Sequence, residues 1–114
     1  MSKLYLIPTT LNPEITSNAL VEFQHAQIKH LTNFIVETAK IGRAHLKQLN
    51  LNLPLQQLNV LELNKHKQDY SALIKPLIDG QDVGLISDCG CPAIADPGSR
   101  VVSIAHEMGF TVVP

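Results

Sequence analysis

The sequence holds only two cysteines, Cys89 and Cys91, with a single residue between them. A disulfide across that gap would be strained and would close almost no loop. No further ligands stand nearby at the spacing a metal site needs, so no metal is expected. Both cysteines read as free thiols, small residues suited to a crowded turn. A reactive thiol is the alternative, and the spacing does not argue for it. Charge of one sign is also missing: nine Lys and Arg stand against ten Asp and Glu, for a formal net charge of −1 and a pI of about 6.5. That balance gives no bulk attraction to nucleic acid or to an anionic membrane. No apolar run approaches the ~20 residues of a membrane helix. Met1-Ser2 leads straight into a strand-like run with no evident signal peptide, so a cytoplasmic location is the expectation. There is no G-x-G-x-x-G, and hence no dinucleotide fingerprint. Internal repeats and low-complexity tracts are absent too.

What is there is a chain of 114 residues, 45% apolar, which is one domain by size with enough material for a core. Residues 3–7 read as a strand that Pro8 ends, because proline cannot donate to a ladder. Thr16 or Ser17 can cap a helix over about 18–30, with Leu20, Phe23, Gln27 and Leu31 on one face. His25 and His30 lie five apart, on different faces, and read as surface residues. Residues 33–36 form a second strand, and a helix over about 38–49 places Ile41, Ala44, His45 and Leu49 on or beside one face. His45 reads as a helix-face residue rather than a base. One helical turn at 55–57 and a third strand at 58–63 follow. Asp69 or Ser71 starts a helix through Ile78 that Gly80 stops. Residues 83–86 are a fourth strand, 98–108 a helix with Val101, Ile104, Ala105 and Met108 at helical spacing, and 110–113 a fifth strand. Alternating strands and helices predict an α/β fold: a single, mainly parallel sheet of about five strands with helices on both faces.

The stretch from Gly84 to Ser99 is the most informative. A short apolar run turns polar and tight at Asp88-Cys89-Gly90-Cys91-Pro92, then closes on Asp96-Pro97, a side-chain cap followed by proline at the first helical position. In open α/β sheets, ligands sit outside the carboxyl ends of the strands, which is where this loop falls. Asp88 can accept hydrogen bonds from ribose hydroxyls or an ammonium group. Gly90 permits close approach to the backbone, and nearby peptide N–H groups can hold a carboxylate. The bland alternative makes Asp88-Cys89-Gly90 a plain turn and Asp96 a plain cap. Three other polar segments follow strands. The loop from Pro8-Thr9-Thr10 faces the Asp88 loop if the first and fourth strands are neighbours. Glu37-Thr38-Ala39-Lys40 follows the second strand. Asn64-Lys65-His66-Lys67 follows the third, either as a solvated loop or as part of an acceptor or phosphate surface.

Ser87-Asp88-Cys89-Gly90-Cys91-Pro92 with Ala95-Asp96-Pro97-Gly98 resembles the S-D-A-G-T-P-x-I-S-D-P-G signature of ribosomal-RNA ribose-2′-O-methyltransferases. Those enzymes belong to the tetrapyrrole methylase superfamily, the class III S-adenosylmethionine-dependent methyltransferases. A less characterised branch is more similar still, at Lys3-Leu4-Tyr5-Leu6-Ile7-Pro8-Thr9, Phe34-Ile35-Val36-Glu37, Leu63-Asn64-Lys65-His66 and Asp82-Val83-Gly84-Leu85-Ile86-Ser87. The resemblance implies S-adenosylmethionine as methyl donor, an RNA acceptor, and two α/β domains with the donor in the cleft between them, usually in a homodimer. Matching positions imply that Pro8, Asp88, Gly90, Cys91, Ile94 and Ala95 line the donor pocket. A hydroxyl acceptor also needs a base; Glu37 and His66 are candidates by position.

Two loops depart from the family. T-P-I-G-N-L is replaced by Pro8-Thr9-Thr10-Leu11-Asn12, and E-D-T-R by Glu37-Thr38-Ala39-Lys40, with Lys40 for arginine. The family also continues past the position of Pro114 into a Gly-Pro-Ser segment and a second domain. The chain is therefore expected to be the amino-terminal half of an enzyme, with weak or no donor binding and no turnover alone. Two other readings stand beside this one: a non-catalytic interaction or dimerisation module that keeps the fold, and a tetrapyrrole methylase domain. The absence of a G-x-G-P-G-D loop after the first strand speaks against the last.

Overall fold

The computed structural model describes residues 2–8, 22–63, 69–88 and 98–114, with side chains in the first helix from residue 25 onward. Five strands, β1 (Lys3–Ile7), β2 (Asn33–Val36), β3 (Asn59–Glu62), β4 (Val83–Ile86) and β5 (Thr111–Val113), form one sheet in the order β3-β2-β4-β1-β5. Every pairing is parallel. β2 and β4 are central and buried at all four positions. Their runs Asn-Phe-Ile-Val and Val-Gly-Leu-Ile are unbroken rather than alternating because both faces of a parallel sheet are covered. The edge strands β3 and β5 are partly exposed.

The helices are α1 (Glu22–Ile28), α2 (Ala39–Gln48), α3 (Tyr70–Ile78) and α4 (Gly98–Glu107). The connections out of β1 and β2 run one way along the sheet, and those out of β3 and β4 run the other. Right-handed crossovers then place α1 and α2 on one face, α3 and α4 on the opposite face. The two halves of the core match. Ile28, Leu46 and Leu49 pack on Tyr5, Ile7, Phe34, Val36 and Ile86, whereas Leu73, Ile74, Leu77, Val101 and Ala105 pack on Leu4, Ile35, Val83 and Leu85. Each such fully buried side chain is worth about 1.5–3 kcal/mol of transfer free energy. Two glycines allow close approach. A Cβ on Gly42 would lie 2.6 Å from Cβ and Cγ1 of Val36, so its absence lets the first turn of α2 settle onto β2. A Cβ on Gly84 would meet Ile7 and Phe34 at 2.8 Å.

Element boundaries follow the sequence closely, with local reasons. Asp69 caps α3, its Oδ1 accepting the Ser71 and Ala72 N–H groups, and Gly80 ends that helix at φ +89°. Gly109 plays the same part after α4 at φ +82°. The one-turn helix at Leu55–Gln57 is a 3-10 turn. β3 starts at Asn59, one residue later than expected. The expected start of the first helix at Thr16 or Ser17 and the Asp96-Pro97 cap lie outside the described residues.

Four side-chain expectations are corrected. The buried face of α2 is Gly42, His45, Leu46 and Leu49, while Ile41 and Ala44 point to solvent. In α1 it is Ile28, not Gln27, that enters the core, and after α4 Met108 is 47% exposed. His25 is half-buried, with Nε2 2.6 Å from the Leu49 carbonyl, so it donates to the carboxyl end of α2 rather than facing solvent. His30 is a surface residue, as expected.

Candidate functional site

β1 and β4 are neighbours, with Ile7 opposite Ile86, so Pro8 and the Ser87-Asp88 exit leave the sheet side by side at its carboxyl end. On the other side of β4 stands β2, with Val36 opposite Ile86. The chain leaves β2 toward β3 and leaves β4 toward β5, so these two exits diverge, the arrangement that opens a crevice in doubly wound sheets.

Here that crevice is laced by hydrogen bonds. The Glu37 N–H donates to the Ile86 carbonyl at 3.1 Å, and Glu37 Oε1 accepts the Asp88 N–H at 3.0 Å. In return Asp88 Oδ1 accepts the Thr38 N–H at 3.1 Å, and Asp88 Oδ2 accepts the Thr38 hydroxyl at 2.7 Å. His45, 4% exposed, stands below with Nε2 3.0 Å from the Asp88 carbonyl. A carbonyl only accepts, so His45 carries its proton on Nε2 in this contact. From β3, Glu62 Oε2 accepts the Ala39 N–H at 2.7 Å. The Thr38 and Ala39 N–H groups at the start of α2 have no carbonyl within the helix to bond. Two carboxylates satisfy them at the end where the helix dipole favours anions.

The site residues expected from the sequence divide in two. Pro8, which is exposed, and Asp88, which is half-buried, sit on adjacent strand exits. Gly90, Cys91, Ile94 and Ala95 lie outside the described residues, as does His66. Glu37 is beside Asp88 and bonded to it. Lys40 is exposed on the first turn of α2. Both Asp88 oxygens are engaged with Thr38, so the aspartate holds a turn together whatever else it accepts. Each oxygen keeps a second lone pair for another donor.

Thr38, His45 and Glu62 were not singled out as site residues. Thr38 carried a signal, since it stands at the helix start. A lone histidine in a helix carries none, and neither does a carboxylate ending an edge strand. A recess of about 60 Å³ opens on the far side of β1, lined by Tyr5, Ile7, Pro8, Ile28, Val113 and Pro114 among others. It is mainly apolar and smaller than the ~300 Å³ of a typical ligand pocket. No helix among the described residues is long and apolar enough to cross a membrane.

These features define an α/β domain in which the exits of β2, β4 and β1 meet at the carboxyl end of one parallel sheet. No family model matches the chain. It is similar over nearly all its length to proteins named ribosomal RNA small subunit methyltransferase I. The one from Escherichia coli O157:H7 is 30% identical over 114 residues, covering 98% of this chain and 37% of that protein. The one from Neisseria meningitidis serogroup A is 31% identical over 113 residues, 97% of this chain and 36% of the relative. The one from Leptospira biflexa is 30% identical over 89 residues, 76% and 35%. The chain thus spans little more than a third of the length of these relatives. Its homologues are RNA methyltransferases by name.

Proposed function

We propose that the chain is a domain of an S-adenosylmethionine-dependent methyltransferase that acts on RNA. The observation that carries this reading is the near-full-length similarity to methyltransferases named for ribosomal RNA. Support comes from the exit of β4, where the signature-like segment begins, at the carboxyl end of the sheet beside Pro8.

S-adenosylmethionine carries its transferable methyl on a sulfonium, so transfer needs no metal. The protein's task is to align donor and acceptor. The described residues fit part of that task. Pro8 and Val113 offer apolar surface for the donor's uncharged portions. Asp88, tied to Thr38 by two bonds and to His45 through its carbonyl, fixes where the segment holding Gly90, Cys91, Ile94 and Ala95 departs. Those four residues would hold the donor together with Pro8. Glu37 would serve as base toward a hydroxyl acceptor, its Oε1 oriented by the Asp88 N–H.

Equilibrium dialysis of the chain extended past Pro114, as in its longer relatives, against radiolabelled S-adenosylmethionine tests the reading. Saturable binding at up to millimolar donor, displaced by S-adenosylhomocysteine but not by adenosine monophosphate, is the expected result. Uptake that never saturates, or that adenosine monophosphate displaces equally well, would contradict it.

A further inference from the structure

We propose that the solvent face of α2 is a docking track for the phosphate backbone of single-stranded RNA, carried by Lys40, Arg43 and Lys47. The inference rests on the RNA-methyltransferase reading and adds to it the surface that would hold the acceptor strand.

The helix reads Ala-Lys-Ile-Gly-Arg-Ala-His-Leu-Lys-Gln and contains no acidic residue. Lys40, Arg43 and Lys47 fall at i, i+3 and i+7, within an arc of about 60°, opposite the buried face of Gly42, Leu46 and Leu49. All three are exposed. They span about 10 Å along the axis at ~1.5 Å per residue. At the ~3.4 Å rise of a stacked strand, that distance spans about three nucleotide steps.

This arrangement works against the helix itself. Like charges at i, i+3 and i, i+4 repel, and a lysine in the first turn opposes the helix dipole. Among the described residues none of the three cations has an ion-pair partner, since the pairs there are His30–Asp82 and Lys75–Asp79. On the opposite face of the sheet Lys75 is paired and Arg100 sits near an aromatic ring. Lys75 donates to both oxygens of Asp79, and Arg100 lies 6.0 Å from the centre of the Tyr70 ring in a helix that also carries Glu107. A third of the chain's nine Lys and Arg therefore lie on one stripe that has no ion-pair partner among the described residues, in a chain whose net charge is −1.

The stripe begins at the turn that Asp88 and Glu62 hold, so a strand bound along it is delivered to the carboxyl end of the sheet. A membrane surface fits less well. Amphipathic membrane helices carry bulky apolar residues opposite the basic ones, and here the residues beside the cations are Ile41, Ala44 and Gln48, with the true apolar face buried on the sheet.

The test is fluorescence anisotropy of a short labelled single-stranded RNA with the wild-type chain and with the triple variant Lys40→Gln, Arg43→Gln, Lys47→Gln, across about 50 to 200 mM salt. Circular dichroism confirms that the variant, altered only at exposed positions, is folded. The expected result is a loss of about tenfold or more in affinity at low salt, with the slope of log K against log salt shallower by about 2, at ~0.7 per phosphate contact. Lys75→Gln on the opposite face should change neither. Equal affinity and slope in wild type and triple variant would overturn the track while leaving donor binding, measured separately, to stand. No RNA binding by the wild type, or stronger stripe-dependent binding to phosphatidylserine vesicles than to RNA, would also overturn it.

Discussion

The two ends of the sheet are stitched by different chemistry. At the amino end the stitches are mainly neutral amides, with the Asp82 carboxylate beside them: Asn59 Nδ2 donates to Asn33 Oδ1 at 3.0 Å, and Asn33 Nδ2 donates to Gln81 Oε1 at 3.1 Å, joining the starts of β3 and β2 to the turn before β4. Ser2 adds a bond to the Leu77 carbonyl, and the Lys3 N–H donates to Asp82. At the carboxyl end the stitches are the carboxylates of Glu62, Glu37 and Asp88, fed by backbone N–H groups and one hydroxyl. Side-chain amides both donate and accept, so a row of them can satisfy itself. Carboxylates only accept, which ties them to donors and leaves lone pairs over for further ones. The amino end is built to close the sheet, and the carboxyl end is built to hold the exits of β2 and β4 in place.

That contrast predicts unequal responses to substitution. Asp88→Ala should have the largest effect, about 3 kcal/mol, because charged-acceptor bonds are lost and the Thr38 N–H is left without its partner. Asp88→Asn, which keeps one acceptor oxygen, should lose about half as much; urea denaturation separates the two. Gly42→Ala should cost about 2 kcal/mol by overpacking against Val36, read as a drop in the thermal midpoint. Asn33→Ala at the amino end should cost about 1–2 kcal/mol, since Asn59 and Gln81 each lose a partner but stand where water can replace it. If Asn33→Ala proves worse than Asp88→Ala, the two ends do not differ as described. The smallest effect is a pH dependence. Burial first, and the nearby Asp82 carboxylate second, raise the Tyr5 phenol above its ordinary value of 10.0. The unfolded chain therefore releases that proton first, so stability present below pH 10 should fall as pH rises beyond it. Tyr5→Phe should remove that part of the alkaline loss in pH-dependent denaturation.

Much of the fold was legible because its signals are local. β1, β2 and β4 are unbroken apolar runs, Asp69 and Thr38 stand at helix starts, and Gly80 and Gly109 stop helices. The side of α2 that faces the sheet was not legible. Ile41 and Leu46 are equally apolar in sequence, and only the space that Gly42 leaves over Val36 decides which turns inward. Nor could the link between Asp88 and Thr38 be read, because the strand order that places β4 beside β2 joins residues 50 apart in the chain. The basic stripe was hidden by composition, which averages three cations unpaired among the described residues against acids located elsewhere.

The central claim is that the carboxyl end of β4 and β1 is where the donor nucleotide binds. Two-dimensional amide NMR of the chain extended past Pro114, as in its longer relatives, during titration with S-adenosylhomocysteine locates binding residue by residue, even when it is weak. Saturable shifts at Ile7, Ser87, Asp88 and Val113, with Asn33, Asn59 and Gln81 unmoved, are the predicted result. Saturable shifts confined to the amino end, or an unchanged spectrum at millimolar ligand, would contradict it.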